Sequence, residues 1–85
     1  NMFNRNEVLK DLRHNVIEIT FNEGVVRLTL KPDLLPKRYI EEDYKEEKKF
    51  HEENKKLISA FNVMNGEYFT FDIANVRYVQ IIDGY

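Results

Sequence analysis

The sequence predicts a mainly β domain: a small five-stranded barrel with one helix at its N-terminus and a charged, helical insertion in the middle. Three observations carry this. Short segments alternate apolar and polar residues with a period of two, over Val16–Asn22, Val25–Lys31, Ile58–Met64, Glu67–Ile73 and Val76–Ile82. Tight-turn signals separate most of them: Asn22-Glu23-Gly24, Asn65-Gly66 and Ala74-Asn75. Between the second and third segments, residues 37–56 hold seven Lys and Arg against seven Asp and Glu, a composition that favours an exposed helix.

The 85 residues make one domain, 1–85. A chain this short buries only about 60–65% of its unfolded surface, so a partner subunit would add stability. At 42% hydrophobic and 33% charged residues the composition is that of a folded protein. The net charge of −2 argues against wrapping long duplex nucleic acid. No cysteine is present, which excludes a disulfide framework and thiol chemistry. With no apolar run near the roughly 20 residues that span a bilayer, and no signal peptide, a cytoplasmic protein is expected.

Taken in order, Asn4 or Asn6 can cap the first helix, and Glu7 suits its positive end. Val8, Leu9 and Leu12 share its inward face, so the helix should plug one end of the sheet, and Asn15 can take a left-handed stop. Ile17, Ile19 and Phe21 face the core from the first strand, as do Val26, Leu28 and Leu30 from the second. Pro32 then ends the ladder, and Leu34 and Leu35 anchor the turn that follows. Ile40, Tyr44, Phe50 and Leu57 are the apolar anchors of the insertion, which is otherwise expected to bury little.

A two-residue Asn65-Gly66 turn would set Met64 opposite Glu67, Asn62 opposite Phe69, Ala60 opposite Phe71 and Ile58 opposite Ile73. A two-residue Ala74-Asn75 turn would then set Asp72 opposite Arg77, Thr70 opposite Val79 and Tyr68 opposite Ile81. This register gathers Phe61, Val63, Tyr68, Val79 and Ile81 on the face away from the core. Such a patch needs a cover, from a helix of the same chain or from a second subunit, and a two-fold homodimer is expected.

The residues offer no catalytic centre, metal site or cofactor site. His14 and His51 lie far apart and read as solvated side chains, although Glu47 and Glu52 flank His51. The insertion's carboxylates are interleaved with lysines, which lower carboxylate pKa values and make poor general acids. The three glycines are isolated in turns, so no phosphate loop is present. For nucleic acid the sequence offers two fragments, Lys31, Lys37, Arg38 and Tyr39 just after the second strand and Arg77 with Tyr78 on the last, of the basic-aromatic kind that can hold phosphate and stack bases.

Val16-Ile17-Glu18-Ile19-Thr20-Phe21, followed by Thr29-Leu30-Lys31-Pro32-Asp33-Leu34-Leu35-Pro36, resembles a family of short phage-encoded proteins. That family carries a Thr-Leu-x-Pro-x-Leu-[Ile/Leu]-Pro signature, a charged insertion of variable length and a closing pattern similar to Tyr68–Val76. It is grouped with WYL-type domains of Sm-like, SH3-like barrel fold. The resemblance covers nearly the whole chain and implies that fold, a phage accessory role and a host-cell location. Asp72, Ala74 and Asn75 stand where the family has Arg, Asp and Arg. Related WYL domains bind nucleic acids or anionic ligands through such positions. With those charges replaced and an apolar outer patch predicted, a protein-interaction or regulatory module contacting a host or phage protein is expected, ahead of the nucleic-acid-binding or ligand-sensing module that the resemblance and the basic-aromatic residues suggest.

Overall fold

The computed structural model describes residues 3–37 and 44–85. The expected contacts at Arg38, Tyr39 and Ile40 lie outside the described residues. Helix α1 spans Arg5–His14, and its first turn is capped by Asn4, whose Oδ1 accepts the Glu7 N–H at 3.1 Å. At its other end Asn15 does not take the expected left-handed conformation. It is extended, at φ −147° and ψ 166°, because β1 begins at the next residue and the chain must leave the helix straight.

Strands β1 (Val16–Thr20), β2 (Val25–Thr29), β3 (Leu57–Asn62), β4 (Glu67–Asp72) and β5 (Tyr78–Ile82) form one antiparallel sheet in the order β4-β3-β2-β1-β5. The β1–β2 hairpin has the expected faces, with Ile17 opposite Leu28 and Ile19 opposite Val26. Ile17, Ile19, Leu28, Ile58 and Ala60 are fully buried on the concave face, where Val8 and Leu12 of α1 join them. Helix α1 thus plugs the sheet as its apolar face foretold. The Leu30 N–H donates to Leu12 O at 2.8 Å, and the Thr29 hydroxyl donates to Asn15 O at 2.8 Å.

The sheet is strongly bent. In a flat sheet β1 and β4 would stand three strand steps apart, about 14 Å. Yet the Phe21 ring, just past β1, lies 5.4 Å from that of Phe71 and 5.8 Å from that of Phe69, both on β4. The concave face folds over these three rings.

Two expected registers are corrected. The β3–β4 loop has four residues, not two: Asn62 opposes Glu67, Ala60 opposes Phe69 and Ile58 opposes Phe71. Side-chain chemistry makes the longer loop affordable. Asn62 Oδ1 accepts the Met64 N–H at 2.8 Å, Asn65 Oδ1 accepts the Glu67 N–H at 3.0 Å, and Gly66 (φ 78°) closes the turn on Asn62 O. The error is one of two residues, so every side chain keeps its predicted face.

The second correction changes faces. Strand β5 does not return along β4; it crosses to β1, with Tyr78 opposite Thr20, Val79 opposite Ile19 and Ile81 opposite Ile17. Residues Ile73–Asn75 are a 3-10 turn rather than part of a two-residue hairpin. Asp72 Oδ1 caps that turn through the Ala74 N–H at 2.8 Å, and Val76, 1% exposed, anchors it in the core. Asp72 is thereby occupied, and Arg77 instead donates through Nε to Asn22 Oδ1 at 2.9 Å.

Gly66 sits in the left-handed region with open space where a Cβ would stand. Gly66→Ala is therefore expected to lose about 1 kcal/mol through backbone strain alone, measured by urea unfolding.

Candidate functional site

Strand pairing alternates direction along a strand, so the odd-numbered residues of β3 present their N–H and C=O groups toward β2. Among the described residues, β2 and β3 pair only through Leu28–Asn62 and Thr29–Phe61, with a further Val63 N–H to Arg27 O bond at 3.1 Å. Toward its N-terminus β3 diverges, and the polar groups of Leu57 and Ser59 lose a strand partner. Side chains replace it. His51 Nε2 accepts the Ser59 N–H at 3.0 Å. Arg5 donates to Leu57 O through Nε at 3.3 Å and Nη2 at 3.1 Å.

His51 belongs to helix α2, Tyr44–Glu53. Its place there corrects the expectation of a solvated histidine: it is 5% exposed. Glu47, one turn earlier, approaches Nδ1 at 2.5 Å and takes a two-pronged contact from Arg13 of α1, at 2.9 and 3.0 Å. Arg5 also reaches the carbonyls of His51 (2.8 Å) and Asn54 (2.6 Å), at the negative end of α2. Partial burial lowers the Arg5 guanidinium from its ordinary pKa. The insertion is thus clamped to α1 by two arginines and packed against β3, contrary to the expectation that it buries little. Tyr44, expected as an anchor, is exposed beneath Lys48, while Phe50 is half-buried.

A histidine oriented by a carboxylate is the supporting half of a general-base arrangement. Here the other nitrogen already accepts a backbone N–H, which places the ring proton on Nδ1 facing Glu47 and leaves no lone pair for a substrate. The Arg13–Glu47–His51 chain is a structural relay. Among the described residues, no three His, Cys, Asp or Glu side chains converge as a metal would require, and no helix is long and apolar enough to cross a membrane.

The five candidate interface residues do not share a face. Phe61 and Tyr68 oppose each other on the convex side, with rings 5.5 Å apart. Val63 lies in the β3–β4 loop, beside Arg27. Val79 and Ile81 lie on the concave side, because their partners Ile19 and Ile17 do. The candidate nucleic-acid residues are also divided. Arg77 stands beside the β1–β2 turn, while Lys31 lies two residues past the far end of β2, a strand about 13 Å long, with Asp33 at 3.8 Å. Lys37 is exposed at the end of the described segment.

What the structure does assemble lies around β5. A shallow cleft of about 490 Å³ is lined by Thr20, Phe21, Asn22, Arg77 and Tyr78. Beside it β5 forms one outer edge of the sheet, with Tyr78 70% and Ile81 48% exposed. Sequence reasoning missed this edge because it placed β5 against β4. On the convex face Tyr85 and, after it, Glu18 raise the Arg27 guanidinium above its ordinary value, so the C-terminal tail returns over that face. No family model, curated protein or solved structure matches the chain.

The side chains that replace the strand ladder set an order of sensitivity. Arg5→Met is expected to cost about 1.5–3 kcal/mol, and His51→Leu, which strands the Ser59 N–H, about 1–3 kcal/mol. Lys31→Ala, which removes only a long surface pair, should stay within about 0.5 kcal/mol. Urea midpoints of the three variants check this ordering.

Proposed function

We propose that this chain is a non-catalytic protein-interaction module, a small phage accessory protein of Sm-like or SH3-like barrel type that regulates a host or phage component. The single observation that carries it is the β5 edge, bare among the described residues, whose backbone and side chains are arranged for strand addition. Strand Tyr78–Ile82 holds no charged residue and no proline, the two commonest guards of a sheet edge. Support for the barrel type comes from the N-terminal helix, the bent sheet with β1 between β2 and β5, and the 3-10 turn leading into the last strand.

A second reading, a nucleic-acid or small-anion binder, is favoured by the cleft. There Arg77 and Tyr78 could hold a phosphate and stack a base. The chain's net charge of −2 and the separation of Arg77 from Lys31 weigh against it.

Two measurements separate the readings. Fluorescence anisotropy with a labelled single-stranded oligonucleotide at physiological salt should show no saturation below the ~10⁻⁴ M end of non-specific binding. Tight, salt-dependent binding lost in Arg77→Ala would establish the second reading instead. For the first, Ile81→Lys should abolish the association of the wild-type chain with its protein partners while leaving the thermal transition within a few degrees. Unchanged association would place the contact elsewhere.

A further inference from the structure

The parity of the sheet determines which groups of β5 are unsatisfied. The Phe21 N–H bonds Gly24 O, so the odd-numbered residues of β1 pair toward β2 and the even-numbered ones toward β5. Thr20 O accordingly accepts the Arg77 N–H at 2.8 Å. By the observed register, Tyr78, Gln80 and Ile82 then hydrogen-bond β1, while Val79 and Ile81 turn their N–H and C=O groups outward.

An antiparallel strand laid on this edge must bond Val79 and Ile81. If that strand is β5 of a second copy related by a two-fold axis, three registers satisfy the parity. One sets Val79 opposite its own copy, one sets Ile81 opposite its own copy, and one centres the axis on Gln80. Only the last overlaps all five residues. It places Val79 opposite the copy's Ile81 on the concave face and Tyr78 opposite the copy's Ile82 on the convex face. The two Gln80 amides meet at the axis. At both ends it brings Arg77, which lies just before the strand with its N–H turned inward to Thr20 O, near the copy's Asp83, just past the strand.

That coincidence of charge decides the occupant. Among the described residues the terminal nitrogens of Arg77 have no partner once Nε has bonded Asn22, and Asp83 is exposed just beyond the strand, before Gly84 (φ 94°) turns the chain. The other outer strand, β4, carries only acids, Glu67 and Asp72, and has no complementary charge for its own copy. We propose that β5 pairs with β5 of a second copy in the Gln80-centred register, making one continuous ten-stranded sheet with two Arg77–Asp83 ion pairs. This rests on the reading of the chain as a protein-contact module and names the partner.

The contact is small, five residues a side, so a micromolar dissociation constant is expected rather than a nanomolar one. Sedimentation equilibrium of the full chain tests it. The wild type should dimerise between about 10 and 500 µM, and Arg77→Asp and Asp83→Arg should each weaken the dimer at least roughly tenfold, since each turns two attractions into two repulsions. The double variant Arg77→Asp/Asp83→Arg should return to within about threefold of the wild type. Both positions are exposed, and circular dichroism confirms that each variant folds. A wild type that stays monomeric at about 500 µM overturns the proposal, while loss of partner association in Ile81→Lys would still uphold the module reading. Dimerisation indifferent to both charge reversals, or a double variant no better than the singles, also overturns it.

Discussion

The divergence of β3 from β2 is the constraint on which the rest of the molecule depends. A sheet bent enough to bring Phe21 of one end against Phe69 and Phe71 of the other cannot keep every neighbouring pair of strands in register along its length. The pairing of β2 with β3 gives way, and two backbone groups near the core lose their partners. Leaving a buried N–H or C=O without a partner costs about 1–3 kcal/mol each. Arg5 and His51 meet that cost from two different helices. In doing so they fix where both helices lie. Arg5 ties the start of α1 to the end of α2, and Arg13 ties its end to Glu47, about 12 Å further along α1.

This explains why a segment so rich in charge packs at all. Only one face of α2 is used, and its contacts are polar: Glu47 and His51, a turn apart, are each almost fully buried and fully paired. Replacing one member strands the others, so the relay holds α2 in a single orientation rather than adding much net stability. The same closed bonding removes His51 from any chemistry with an outside molecule. By contrast, nothing among the described residues satisfies the outward groups of β5. The sheet therefore has one gap sealed by side chains and, at β5, an edge that the described residues leave open.

Much of the fold was legible in the sequence. Period-two alternation in Ile17-Glu18-Ile19 and Val26-Arg27-Leu28 identified the strands and their inward faces, and Val8 with Leu12 identified the packed side of α1. The turn between β3 and β4 was recognised at Asn65-Gly66, but its length was set by Asn62 and Asn65 bonding the backbone, a local preference that the dipeptide alone does not encode. The path of β5 was misread because Ala74-Asn75 looks like a two-residue hairpin loop, which would pair Asp72 with Arg77, whereas Asp72 caps a 3-10 turn and Val76 steers the chain into the core. That one turn moved Val79 and Ile81 to the concave face. The Glu47–His51 spacing was visible on the predicted helix, but no local signal announces that Arg5, some fifty residues from Leu57, completes its ladder.

Residue-resolved amide exchange in dilute solution tests this account most directly. Ser59, whose N–H is held by a histidine and by no strand, should be protected to the level of the β1–β2 amides. Val79 and Ile81 should exchange quickly while Tyr78, Gln80 and Ile82 beside them are slow. Rapid exchange at Ser59, or uniform protection along β5 in the monomer, would contradict it.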